Sequence, residues 1–419
     1  MKWLIHQIKS SDFLRHNLVF FVGSFAVSAI NYLYYPVLGR LLPTTQFGEV
    51  QALVSLFLQA NIFLSVVTNV AVNIVANERD EQLRNRIVFE LERLAGLIVL
   101  GSVTVALIFV QPLKEFFQFP EVAPFFALGA ALVASAPLAL RSAFLRGRSA
   151  FGMLSTANVI ASVAKLVVSA MLVLFGMGTF GAIGGLVIAQ LIALVYARRQ
   201  ATRLGLSGSA GALLRRPDIR LIKPQLPYTL LVLIVSLVTT TLFSFDILVV
   251  KHYFNGEIAG LYAGIATIAR IIYFLTGSFA GVLLSNIKLT ESLATNRAIL
   301  KRSALLQLVI GGSVLAVFAF LPNLVIRLLI GSRYEVYAGL LPALSLALFI
   351  LAFVNLLLSY DLALRRRSAA VVSIIGMAVT AVWIVLAHAT PEQVVHSLLW
   401  SSIIFLGIRG LSSIWRRIR

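Results

Sequence analysis

Residues 23–57 read GSFAVSAINYLYYPVLGRLLPTTQFGEVQALVSLF. An apolar run ends at a cation, Arg40, crosses a short polar turn, and resumes at Gly48 as a second apolar run. With their flanks the two runs cover about 16–41 and 48–76, each long enough to cross the roughly 30 Å hydrocarbon core of a bilayer as a helix. The pattern repeats along the whole chain. Further runs lie near 88–112, 122–145, 153–176 and 178–198, then near 226–254, 257–287, 301–325, 338–360, 368–388 and 393–413. Twelve transmembrane helices are expected.

Composition agrees. Of the 419 residues, 59% are hydrophobic and 12% charged, and mean hydropathy is +0.95, too apolar for a water-soluble domain. The opening MKWLIHQIKSSDFLRHN is polar and leads into a run too long for a signal-peptide core, so the first run is expected to stay as a helix. Cysteine is absent, which excludes disulfides, thiolate metal sites and cysteine nucleophiles.

The net charge of +19 is explained by where the cations fall. With the N-terminus placed in the cytoplasm and sides alternating, 28 of the 35 Lys and Arg lie on the cytoplasmic side and five on the other, Arg40, Lys114, Lys251, Arg327 and Arg333. Cytoplasmic loops retain cations during insertion, so this segregation supports the twelve spans and a cytoplasmic location for both termini. Basic loops facing an anionic leaflet account for the charge without nucleic acid. Two cations are left over. Lys165 and Arg270 sit near the middle of their runs.

RRQATRLGLSGSAGALLRRPDIRLIK, residues 198–223, is the longest break in hydrophobicity. It reads as a cytoplasmic linker, giving an N-terminal six-helix lobe (1–198), a linker (199–222) and a C-terminal six-helix lobe (223–419). The lobes look related. DILVVKHYFNGEIAGLYAGIATI, from Asp246, aligns at a constant offset with YYPVLGRLLPTTQFGEVQALVSL, from Tyr34, and places Gly260 beside Gly48. An even number of spans per lobe makes this a parallel repeat.

The stretches 23–57 and 246–274 resemble the openings of the two lobes in the polysaccharide-flippase (Wzx-like) branch of the multidrug/oligosaccharidyl-lipid/polysaccharide exporter superfamily. The resemblance implies a MATE-like, all-helical, V-shaped transporter whose cleft is lined by the first, second, seventh and eighth helices. It also implies a bacterial or archaeal cytoplasmic membrane location. Its cargo would be a polyprenyl-diphosphate-linked oligosaccharide for capsule, exopolysaccharide or O-antigen, with membrane lipids around it. A polysaccharide polymerase and chain-length machinery are candidate further partners.

A cation at mid-membrane costs about 2.5–3.5 kcal/mol on insertion scales, so Arg270 and Lys165 should face water or a partner. They can hold a phosphate, or Arg270 can pair with Asp246. Asp246, which resembles the family's second-lobe aspartate, either binds a coupling ion or forms an ion pair. Arg40 and Lys251 are expected at the outer mouth, with their stems in apolar surroundings and their heads in water. Asn31, Tyr32, Tyr35, Gln59, Asn61, Asn69 and Asn73 offer amides and phenols for sugar hydroxyls or for interhelical hydrogen bonds. Asn158 and Gln190 have the same two readings.

Two other functions remain at this stage. A cation-coupled multidrug exporter would want more membrane carboxylates than Asp246 supplies. An enzyme would want paired carboxylates or a histidine in a sizeable aqueous loop, whereas His6, His16, His252, His388 and His396 are scattered and the outer loops are short. No H-E-x-x-H or P-loop occurs, so neither a cofactor nor a metal is expected.

Overall fold

The computed structural model describes residues 12–206, 226–287 and 292–418. Most of the expected linker, with Arg215, Arg216, Arg220 and Lys223, lies outside the described residues, as do Lys2, Lys9, Lys288 and Arg419.

The described residues are helical throughout, without strands. In chain order the helices are α1 (Asp12–Leu41), α2 (Thr44–Asn77), α3 (Glu81–Ile108), α4 (Val110–Phe116), α5 (Ala123–Gly147), α6 (Phe151–Leu172) and α7 (Gly178–Arg203). They continue as α8 (Leu226–Tyr253), α9 (Gly256–Asn286), α10 (Leu293–Phe320), α11 (Pro322–Leu329), α12 (Leu340–Ala363), α13 (Ser368–Leu386) and α14 (Pro391–Ile418). Ten stretches are long and apolar enough to cross a membrane, and one of them, Phe151–Arg203, holds both α6 and α7. With α1, the long helices among the described residues number twelve.

Local chemistry sets many of the boundaries. Asp80 caps α3 by accepting from Gln82 N (2.9 Å) and Leu83 N (3.3 Å). Asn255 caps α9 through Ile258 N (2.9 Å), and Ser292 caps α10 through Thr295 N (3.1 Å). Each such cap is worth about 1 kcal/mol. The corner between α6 and α7 is tight: Gly176 (φ 83°), inside a π turn at Val173–Met177, and Gly178 (φ 49°), just past it, take the left-handed conformations that glycine adopts without strain.

The chain groups into two compact units, Met1–Leu42 with Phe63–Gln225, and Pro43–Ile62 with Leu226–Arg419. In the first unit α1 packs on α6, α3 on α5, and α7 on both α5 and α6. The second half of α2 adds Leu64 and Ala71 to a core with Ile87, Leu91, Ala136 and Leu140. In the second unit α8 packs on α13, α10 on α12, and α14 on both α12 and α13. These are the same pairings six spans later. The short helices α4 and α11 follow the third long helix of their halves in the same way, although hydropathy alone merged them into the preceding spans. From the last turn of α11, Arg327 donates to both oxygens of Glu335 (2.7 and 3.1 Å), which holds that carboxyl below its usual range.

Close approach depends on small residues. The opening turns of α2 and α9 meet where a Cβ on Gly48 would stand 2.9 Å from the Gly260 Cα. A Cβ on Gly185 of α7 would run into the Ser169 backbone of α6, whereas one on neighbouring Gly184 would meet only Leu172 Cδ1 at 3.7 Å. Gly185→Leu is therefore expected to cost about 1–3 kcal/mol or more through overpacking, with a lower melting temperature in detergent, while Gly184→Ala melts like the parent. Equal melting of the two variants would contradict this packing.

Candidate functional site

The two mid-span cations are seated differently. In the first unit, Lys165 Nζ on α6 donates to Asn31 Oδ1 on α1 at 2.6 Å and stands 4.5 Å from the centroid of the Tyr34 ring. Asn31 Nδ2 donates to Ser162 Oγ at 3.0 Å, and Ser162 donates to Asn158 O at 2.9 Å. The Tyr34 hydroxyl donates to Ala182 O (3.3 Å), which also accepts from Ser169 Oγ (2.8 Å), so the ring is pinned from α7. Tyr35 meets Tyr34 edge-on at 5.4 Å. Lys165 is half-buried, and among the described residues no carboxylate pairs with it. An ammonium has three donors, so the Asn31 bond leaves capacity for an anion.

In the second unit, Arg270 on α9 donates from Nη2 to Asp246 Oδ1 on α8 at 2.5 Å and from Nε to Phe243 O at 3.1 Å. Its guanidinium carbon stands 5.2 Å from the Phe243 ring centroid. The Tyr262 hydroxyl donates to the other Asp246 oxygen at 2.9 Å. Arg270 is 6% exposed and Asp246 0%. Of the two readings open from sequence, a phosphate ligand or a partner, the geometry shows Arg270 with a partner. Its Nη1 is buried with no hydrogen bond.

The remaining candidates are spread over both units. Asn69 and Asn73 are exposed on the second half of α2, and Asn73 accepts from Asn77 Nδ2 at 2.9 Å. Exposed amides on a spanning helix belong against water rather than lipid. Gln59 donates to Ser244 Oγ (3.2 Å), Asn61 to Phe57 O (2.8 Å), and Tyr32 and Gln190 are largely enclosed. Arg40 is exposed. Lys251 departs from expectation: it is only 2% exposed and within electrostatic range of Glu49, itself buried on α2. Glu49 compensates its charge within the same unit.

The sequence reading missed Tyr34, Ser162, Phe243, Tyr262 and Glu49. A signal for the first unit was present. Ser155, Asn158, Ser162, Lys165 and Ser169 recur at alternating three- and four-residue spacing, one polar stripe along an apolar helix.

Two repeated helical bundles, all-α spans and ionisable groups seated inside them define a polytopic membrane protein. A family described as polysaccharide biosynthesis protein matches residues 13–284, most of the chain, and the chain belongs to that family. Among curated proteins none matches significantly by sequence. Among solved structures it is similar to the lipid II flippase MurJ in an inward closed conformation, with TM-score 0.70, 13% identity, and coverage of 94% of this chain and 87% of that one. It is also similar to an inward-facing multidrug resistance MATE family transporter of the MOP superfamily (TM-score 0.68, 13% identity, 92% and 96% covered). A third likeness is to the eukaryotic MATE transporter AtDTX14 (TM-score 0.65, 14% identity, 96% of each chain covered). The fold is that of the MOP superfamily.

Removing one partner of a buried ion pair strands the other. Asp246→Asn is expected to destabilise the protein by roughly 3–5 kcal/mol, and the double variant Asp246→Asn/Arg270→Gln to recover much of that loss, as read by thermal unfolding of the purified protein. A double variant no more stable than the single one would refute the pairing.

Proposed function

We propose that the protein is a flippase that carries a polyprenyl-diphosphate-linked oligosaccharide from the inner to the outer leaflet of the cytoplasmic membrane for cell-surface polysaccharide assembly. The observation that carries this reading is Lys165: a cation inside a span, positioned by Asn31 and Tyr34 and paired with no carboxylate among the described residues. A phosphate supplies the missing charge, and a charge-assisted hydrogen bond of this kind is worth about 1.5–3 kcal/mol. Family membership and the likeness to a lipid II flippase support a lipid-linked cargo.

Roles follow from the chemistry. Lys165 takes the phosphate; Asn31, Tyr35, Asn69 and Asn73 offer hydrogen bonds to sugar hydroxyls. In the second unit Arg270 stays engaged by Asp246, so the phosphate falls to Lys165. Both termini lie in the cytoplasm, as the cation distribution favours. A cytoplasm-negative potential then assists outward movement of each phosphate charge by about 2.3 kcal/mol per 100 mV. The polymerase and chain-length machinery are the partners this role implies.

The likeness to MATE transporters supports a second reading, a multidrug exporter. A cationic drug or coupling ion needs an available carboxylate, and both oxygens of Asp246 are already engaged by Arg270 and Tyr262. The flippase reading accounts for more of the observed chemistry.

Lys165→Gln is expected to cut polymer export by about tenfold or more, with lipid-linked oligosaccharide accumulating on the cytoplasmic face, because the charge-assisted bond to phosphate is lost. Lys165→Arg should retain part of the activity. Export at the parental level by a Lys165→Gln protein present in normal amount would overturn the assignment.

A further inference from the structure

The turn joining α5 to α6 reads Leu145-Arg146-Gly147-Arg148-Ser149-Ala150, and the turn joining α12 to α13 reads Leu364-Arg365-Arg366-Arg367-Ser368-Ala369. Five of six positions are identical, and the two turns occupy the same place in the repeat, between the fourth and fifth long helices of each half. Nothing in the proposed transport chemistry uses them.

The two turns are built alike. Leu145 is buried in the core of the first unit, and Leu364 packs on a core cluster of the second. Ala369 is buried, and Ala150 packs on the first unit's core. Each turn closes with the same pair of backbone hydrogen bonds. In the first, Ser149 N donates to Arg146 O (3.0 Å) and Ala150 N to Leu145 O (2.9 Å); in the second, Arg365 N donates to Leu362 O (2.9 Å) and Arg366 N to Asp361 O (2.9 Å). This is the Schellman closure of a helix end, which usually places glycine in the left-handed position. Here that position holds Ser149 (φ 55°) in one turn and Arg365 (φ 52°) in the other. The closure has moved by three residues between the copies, just under one helical turn.

Both apolar flanks are tied down, so the arginines point outward. Arg146, Arg148, Arg365 and Arg367 are exposed. Arg146, Arg148 and Arg367 form no ion pair among the described residues, whereas Arg366 is half-buried against Asp361 at 3.0 Å. Asp361 is shared with Arg409 (2.7 Å), so one carboxylate faces two guanidiniums before the exposed ones are considered. Each turn thus leaves a surplus of positive charge at the end of a long apolar helix.

We propose that these turns are twin docking sites, one on each unit, for the phosphate of an anionic phospholipid headgroup. An even number of crossings separates them, so they face the same leaflet. Arginine supplies 27 of the chain's 35 basic residues and every cation of both turns. The planar guanidinium grips a phosphate through two parallel N–H bonds, which an ammonium cannot do.

The test keeps charge constant. Full-length protein is purified from membranes containing phosphatidylglycerol and phosphatidylcholine, and the lipid that remains bound is measured by native mass spectrometry. The parent is expected to retain phosphatidylglycerol in preference to phosphatidylcholine. The pair Arg146→Lys/Arg148→Lys and the pair Arg365→Lys/Arg367→Lys should each retain about half as much, since distant sites act independently, and the fourfold lysine variant should lose the preference. A fourfold lysine variant that retains phosphatidylglycerol like the parent overturns the proposal. So does equal thermal stabilisation of the parent by soluble glycerol phosphate and by phosphatidylglycerol, because the ligand is then a free anion. These readouts do not depend on transport, so the proposal can fail while the flippase reading stands, and the reverse.

Discussion

An ionised side chain inside an apolar span must be matched by an opposite charge, by oriented dipoles or by water, and both units are organised around that requirement. In the second unit the match is internal. Asp246 meets Arg270, Tyr262 donates to the second carboxylate oxygen, and the Phe243 carbonyl accepts from the guanidinium, leaving the group neutral and enclosed. In the first unit Lys165 has an amide oxygen and an aromatic face, both uncharged. The same physical demand is therefore met by a counter-charge in one place and by dipoles and an aromatic face in the other.

Hydropathy made the helices legible, because a long apolar run in lipid has one way to satisfy its backbone. The unusual cations were legible too, since so few residues in the spans are charged. What could not be read was who meets whom. Asp246 and Arg270 are on successive helices, and their meeting depends on how α8 rotates against α9, which composition does not encode. Lys251 looked like a boundary residue because it ends a helix, yet its neighbour Glu49 comes from α2, some two hundred positions earlier. The helices α4 and α11 were hidden for a simpler reason: each continues the apolar run of the span before it, with only Phe109 or Leu321 between them.

The two halves share a framework. The pairings of long helices recur, the glycines at 48 and 260 open equivalent helices, and the arginine turns fall at equivalent corners. The helices that follow those corners have diverged. In the register set by the two turns, Ile384 of α13 stands where α6 has Lys165, and it is fully buried. Ala381 stands in place of Ser162 and Met377 in place of Asn158. The polar stripe therefore belongs to one copy, and the uncompensated charge is a specialisation of the first unit.

The cation seats show how far the two copies have moved apart while keeping one geometry. In the register that sets Gly48 beside Gly260, Asn31 aligns with Phe243 and Tyr34 with Asp246. These residues lie three apart on the first helix of each half, so each pair shares one helix face. In both halves that face holds a cation: Asn31 and Tyr34 hold Lys165, and Phe243 and Asp246 hold Arg270. The aromatic and polar members have exchanged places, and a carboxylate occupies only the second seat. The cation itself arrives from a different helix, α6 in one half and α9 in the other. A carboxylate at Tyr34 would have neutralised Lys165 as Asp246 neutralises Arg270. The phenol instead gives the ammonium an aromatic face and no counter-charge.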